Sequence, residues 1–218
     1  MNEKSLNRNH TLYYDRTFHG LPVMQENGPM IMEYLDTLHR VANLALESYS
    51  RVFAIRFDLH FPYGMDASND SIANSYISRF VDSIKAKIRH HRSLAMLRNI
   101  YAHDSEVRFV WAREIGKFGR VHYHVAILLN REAYFTLGKI ASRHSNMAHR
   151  IMESWASALG TKYETALGLV HFPENPVYLF EKGDRSGLEA FFYRASYLCK
   201  AGTKEFGNGR HGFGASRS

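Results

Sequence analysis

Two runs of strand-forming residues, EVRFVWAREI (106–115) and RVHYHVAILLN (120–130), are separated by only Gly116 to Gly119. So short a connection makes the two runs an antiparallel hairpin. A turn centred on Phe118 sets the register, with Glu114 opposite His122 and Ala112 opposite His124. Opposed residues share a face of the sheet, and so do residues two apart on one strand. Glu114, His122 and His124 therefore gather on one surface. Two imidazole nitrogens and a carboxylate oxygen suit a divalent cation with open positions. Such an ion acts as a Lewis acid on a phosphate oxygen. A second reading stays open, in which the histidines are polar residues on the solvent face of an antiparallel sheet. Thirteen histidines among 218 residues make one His-x-His pair a weak motif alone.

The rest of the chain supplies a mixed fold around this hairpin. VFAIRFDLHF alternates strictly, with Phe53, Ile55, Phe57, Leu59 and Phe61 facing one way and Ala54, Arg56, Asp58 and His60 the other. Helical spacing marks 29–50, with Pro29 as a start signal, and 69–99, with Asn69 or Asp70 as cap. A third helix over 143–160 ends at Gly160, and GLEAFFYRASYLCKA is the last, with Gly202 beyond it. LVHFPENPVYLF holds short extended pieces broken by prolines. The expected organisation is an irregular N-terminal arm (1–28), one domain (29–202) and a basic glycine-rich tail (203–218). The fold class is α+β, an antiparallel central sheet with helices on one face. The other face is then open and carries the polar positions.

Charge narrows the partners. The net charge is +7 and the pI near 9.5, a balance that suits a polyanion such as nucleic acid. A single cysteine, Cys199, excludes a disulfide framework and fits a reducing cytoplasm. The N-terminus has no apolar core of signal-peptide type, and no run is long enough to span a membrane. Lys85, Lys87, Arg89, Arg113, Lys117 and Arg120 are candidates for phosphate contacts, and Trp111 or Phe118 for base stacking, although core packing is the plainer role for Trp111.

The last helix carries Tyr193, Tyr197 and Lys200, at i, i+4 and i+7 on one helical face. A tyrosine hydroxyl can attack a phosphodiester and form a phosphotyrosine, with a metal orienting the phosphate and a lysine supporting the charge. Taken alone, a Tyr-x-x-x-Tyr pair is more readily explained by packing.

In this order, His122-Tyr123-His124 and the later Tyr197-Leu198-Cys199-Lys200 resemble the HUH endonuclease superfamily. Tyr123 stands where an aliphatic residue is usual. The extra Tyr193 is similar to the two-tyrosine class of replication initiators from single-stranded-DNA phages. FAIRFDLHFP, FVWAREI, HYHVAILLN, ASYLCK and the tail GFGASR resemble inovirus-type replication proteins, including the YagK/YfjJ C-terminal-domain family, over roughly residues 50–218. The resemblance implies an HUH/RRM-like nuclease domain with its metal site on the open sheet face. It implies a metal, Mg²⁺ or Mn²⁺, on His122, His124 and Glu114, and Tyr197 and Tyr193 as the two nucleophiles, in an order the sequence does not fix, supported by Lys200. The expected activity is nicking and rejoining of single-stranded DNA at a phage or plasmid-type origin, in rolling-circle replication, with a host polymerase and helicase as partners. No G-x-x-x-x-G-K-[ST] loop for unwinding is present. Asp58, His60 and Arg56, on the polar face of VFAIRFDLHF, are candidates for contact to DNA or metal, with Asp58 or His60 an alternative third ligand; a solvated face accounts for Arg56 and His60 as readily.

Rival readings remain at this stage. A relaxase places its tyrosine ahead of the histidines, where Tyr13 and Tyr14 stand. Single-tyrosine transposases place it on a late helix. A non-catalytic DNA- or RNA-binding module, such as a regulator of a prophage origin, would use the basic and aromatic residues alone. A structural zinc site is disfavoured, because one cysteine and a cluster of three ligands make no closed set.

Overall fold

The computed structural model describes residues 9–65, 70–116, 119–140, 145–202 and 212–217. The lead-in contributes four two-residue strands, β1 (Leu12–Tyr13), β2 (Thr17–Phe18), β3 (Leu21–Pro22) and β4 (Met30–Ile31). Then follow α1 (Met32–Ser48), β5 (Arg51–His60), α2 (Asp70–Arg98), β6 (Arg108–Ile115), β7 (Val121–Asn130), α3 (Met147–Leu159) and α4 (Tyr163–Ala166). The chain closes with β8 (Val170–His171), β9 (Val177–Glu181), α5 (Arg185–Ser196), a 3-10 turn over Tyr197–Cys199, and β10 (Phe213–Ala215). No helix among the described residues is long and apolar enough to cross a membrane.

The central sheet is antiparallel, in the order β10-β6-β7-β5, with β8 and β9 both pairing the outer side of β5. The hairpin has the register expected from its turn: Glu114 opposes His122 and Ala112 opposes His124. β5 then lies on the far side of β7, with Asp58 opposite His124 and His60 opposite His122. The glycine-rich tail adds an edge strand, and Gly214 sits so close to the Trp111 ring that a Cβ there would lie 2.6 Å from it. Trp111 is thus a packing residue, set edge-on against buried Tyr123 at 5.8 Å.

The first face of the sheet carries Phe53, Ile55, Phe57, Leu59, Tyr123, Val125, Ile127 and Leu129, and it packs against α2 and α3. Ile77, Phe80, Ile84 and Ile88 are the buried stripe of α2; Ile151, Met152 and Trp155 are that of α3. The side chain of Asn146 caps α3 by accepting from His149 N, and Gly160 ends it in the left-handed conformation.

The second face is not open, contrary to the expectation. At one end it presents Val52, Ala54, Val110, Ala112, Ala126 and Leu128, which bury against α1 and α5. The small alanines leave room for two helices, and a Cβ on Gly187 would lie 2.3 Å from Leu179 O, so only glycine allows α5 this close to β9. Helices therefore cover both faces. The polar positions 56, 58, 114 and 124 fill the other end of the second face and are buried there too.

The lead-in is irregular but packed. Phe18, Leu21, Val23 and Met24 join the second-face core, and the lead-in grips the end of α5 at three points. Met24 N donates to Ser196 Oγ at 3.0 Å, Ala201 N donates to Pro29 O at 2.9 Å, and Met30 bridges Lys200.

Candidate active site

Ligand-capable atoms of Glu114, His122 and His124 all lie within 4.8 Å of one another. Two ligands each ~2.1 Å from a common centre stand at most ~4.2 Å apart, so the trio needs little closure to hold a cation. Glu114 and His124 are almost fully buried, at 3% and 5% exposure, and His122 is half-buried. Burial and the neighbouring His124 push His122 down to about 4, partly opposed by the Arg120 carbonyl and Glu114. Its ring is neutral at neutral pH, with a lone pair free to bind metal.

The donor set around His124 fits a cation. Asp58 Oδ1 lies 2.5 Å from Nδ1, and the tautomer that this contact favours carries its proton there. Burial raises the Asp58 carboxyl, but the bond from His124, the charges of His124 and Arg56 and the contact with His171 hold it below its ordinary range. Arg56 grips the same carboxylate with both terminal nitrogens, at 3.1 and 3.2 Å. His124 Nε2 lies 3.1 Å from Glu114 Oε2, a hydrogen bond when Nε2 carries a proton and a pair of facing acceptors when only Nδ1 does. Two acceptors so close in a buried site require positive charge beside them. Lys200 Nζ supplies it here, 2.9 Å from the same Oε2. A carboxylate behind the ring of a ligand histidine is the usual support for metal binding, and Asp58 occupies that position behind His124.

Lys200 also donates to the Tyr197 hydroxyl, and its Nζ lies 3.7 Å from the Tyr197 ring centroid. The reason is local. Beyond Ser196 the chain tightens into a 3-10 turn, which sets i and i+3 above each other, so Tyr197 and Lys200 meet. The Tyr197 ring stands edge-on to His124, with centroids 5.1 Å apart. The half-buried phenol, the ammonium and the trio form one contiguous site.

Other expected residues fall elsewhere. The Tyr193 hydroxyl donates to Glu26 Oε1 at 2.8 Å, in a cavity lined by Arg16, Val23 and Gln25, and no described hydrogen bond or ring contact joins it to the trio. That bond, followed by burial, raises the Tyr193 phenol above its ordinary range. The row of two tyrosines and a lysine thus holds only for Tyr197 and Lys200. Tyr13 donates to Thr17 O and Tyr14 is 68% exposed, so neither joins the site. His60 stacks on His122, with centroids 5.4 Å apart and planes 12° apart, as a wall beside the trio. His171 reaches Asp58 Oδ2 at 3.5 Å, which the sequence reading missed because β8 has only two residues.

The basic candidates divide. Arg113 is 3% exposed and on the opposite face from Glu114, so it is no surface contact, because the alternation that turns Glu114 inward turns its neighbour the other way. Lys87 pairs with Glu153 at 3.2 Å. Lys85 and Arg89 line a groove of about 490 Å³ with Arg108 and Arg217, by the far end of β6 from Glu114. Arg120 is exposed beside His122, over the ring of Tyr63. Lys117 and Phe118 lie outside the described residues.

Comparison with known proteins covers nearly the whole chain and begins well before residue 50, where the resemblance in sequence was placed. The chain is 30% identical over 199 residues to the uncharacterized protein YagK of Escherichia coli strain K12, covering 88% of this chain and 95% of that one. It is 29% identical over 203 residues to the uncharacterized protein YfjJ of the same strain, covering 88% and 97%. No solved structure matches it. With the model of the YagK/YfjJ C-terminal domain matching residues 13–216, the chain belongs to that family.

Proposed function

We propose that the protein is a metal-dependent nicking and joining enzyme for single-stranded DNA, acting at the origin of a phage or prophage-type replicon in rolling-circle replication. One observation carries this reading: the Tyr197 phenol, held by Lys200, packs on His124 of a buried trio suited to a divalent cation. Glu114, His122 and His124 would hold the ion, Mg²⁺ or Mn²⁺, with Asp58 fixing the His124 ring. When bound, the ion polarises the scissile phosphate as a Lewis acid.

The chain's own residues do the rest. Tyr197 Oη attacks phosphorus, its proton passes to solvent, and the bond from phosphorus to the 3′-oxygen breaks. The 5′-phosphate becomes an ester of Tyr197, and the 3′-oxygen leaves as a hydroxyl after taking a proton from solvent. The step is an ester exchange, so it consumes no oxidant and reverses when a 3′-hydroxyl attacks the phosphotyrosine. Lys200 neutralises charge on the phenolic oxygen during attack. A host polymerase extends the free 3′-hydroxyl, and a host helicase unwinds ahead of it. A single nucleophile suffices for nicking; a second transfer by Tyr193 requires its hydroxyl to leave Glu26.

The test is a covalent-adduct assay. Protein is mixed with labelled single-stranded oligonucleotides from its own replicon, with Mn²⁺ or EDTA, and run on a denaturing gel. A shifted band is expected with Mn²⁺ only, retained by Tyr193→Phe and lost in Tyr197→Phe. Absence of any band from protein that still binds the DNA would reduce the domain to a binding module.

A further inference from the structure

A cavity of about 440 Å³ opens where the end of β5, the hairpin turn and the segment before β8 meet, lined by His60, Phe61, Tyr63, Arg120 and Leu169 among others. We propose that it is a base-binding subsite for single-stranded DNA, seating one nucleobase beside the phosphate at the trio. The inference rests on the reading of the trio as a phosphodiester site, and goes beyond it in assigning recognition to residues outside the chemistry.

Three observations converge. Tyr63 is 90% exposed, and the Arg120 guanidinium stands 5.1 Å from its ring centroid. An aromatic face and a planar cation, both presented to solvent, form the kind of platform on which unpaired bases stack. The wall nearest the trio is His60, whose ring lies nearly parallel to that of His122, so cavity and trio are neighbours through one ring contact. Among the described residues that line the cavity none is acidic, while Arg120 brings positive charge to it, which favours a nucleotide's phosphate. In a duplex both faces of each base are already stacked, so the platform accepts only a splayed base and selects single strands.

Binding of fluorescein-labelled oligo-dT, and of a wholly abasic oligomer of equal length, is measured by anisotropy over a range of salt. Tyr63 is on the surface, so its replacement leaves the fold intact, which circular dichroism checks. Tyr63→Ala is expected to weaken oligo-dT binding roughly 5- to 150-fold, the loss of one stacked base. Tyr63→Phe keeps the ring and stays within about twofold of the native protein. On the abasic oligomer Tyr63→Ala and native protein bind alike, and the salt dependence is unchanged because no phosphate contact is removed. Equal oligo-dT binding by Tyr63→Ala and native protein overturns the subsite, as does an equal loss on the abasic oligomer. Adduct formation, run in parallel, separates the two readings. An adduct with no Tyr63 effect sinks the subsite alone. The Tyr63 signature without an adduct keeps the base site and removes the nicking activity. Native protein that binds neither oligomer removes both.

Discussion

Lys200 stands where the cation of the trio would otherwise be needed, so Lys200→Met separates two roles of one charge. Lys200 Nζ and Glu114 Oε2 are 2.9 Å apart, with side chains 6% and 3% exposed. Methionine keeps the volume and removes the charge. Removing one partner of a buried pair costs about 3–5 kcal/mol, because the other charge is left buried. At about 2–4 °C per kcal/mol for a chain of this size, the metal-free variant melts about 6–20 °C below the native protein. Metal binding moves the other way. A pair at this distance attracts by on the order of 6 kcal/mol at an effective dielectric near 20, before desolvation is subtracted. A divalent ion must compete with that attraction for the same oxygen. If only a quarter of it survives relaxation, about 1.4 kcal/mol, removing the ammonium tightens Mn²⁺ binding about tenfold. Thermal melting with and without saturating Mn²⁺, plus titration calorimetry, reads both effects. The variant is expected to start lower and to gain more on adding Mn²⁺, while Glu114→Gln gains nothing. Equal Mn²⁺-induced shifts in variant and native protein would refute the competition, and an unchanged metal-free melting point would refute the buried pair.

Three further outcomes follow from the geometry. Asp58→Asn removes the negative charge behind His124 Nδ1 and is expected to weaken Mn²⁺ binding about 10- to 100-fold by calorimetry; an unchanged affinity would deny Asp58 its supporting role. His91 is pushed down to about 4 by burial and by Arg150, Arg92 and other cations nearby, so below pH 6.5 the unfolded chain binds a proton that the folded one refuses. Stability therefore falls as pH drops from about 6.5 towards 4, a slope shared with His122; urea midpoints across that window are expected to fall less steeply in His91→Gln, and an identical slope would count against it. Gly187→Ala sets intrinsic helix preference, about 1 kcal/mol in its favour, against a Cβ 2.3 Å from Leu179 O. Overpacking costs about 1–3 kcal/mol, so the variant melts lower; a rise would mean that α5 sits farther from β9.

Local features of the sequence carried much of the site. A four-residue turn leaves one pairing, so Glu114 opposite His122 is legible from spacing alone. Tyr197 and Lys200 are three residues apart and so share a helical face, which the 3-10 turn brings into direct contact. Coverage of the second face was not legible, because the first strand shows its polar positions 56, 58 and 60 beside a single small residue, Ala54. The apolar patch that receives α1 and α5 appears only once Ala54, Ala112 and Ala126 are laid side by side by strand order. The role of Asp58 was half legible: its alternation gave the face, but its place opposite His124 depends on a pairing between residues 66 apart in the chain. No turn length fixes that register.

The same distinction explains Tyr193. Helical periodicity aligns it with Tyr197, but periodicity contains nothing about Glu26, which arrives from the lead-in and takes its hydroxyl. That lead-in also holds Ser196, Lys200 and Ala201 through Met24, Met30 and Pro29, immediately around the nucleophile candidate. The position of Tyr197 over His124 is therefore set from both sides, by the sheet beneath and by a segment more than 160 residues earlier in the chain. A boundary drawn at residue 29 on composition runs through these contacts: a domain trimmed there would keep all three candidate ligands and the contacts of Pro29 and Met30 with Ala201 and Lys200, yet lose the one that Met24 makes with Ser196, next to Tyr197.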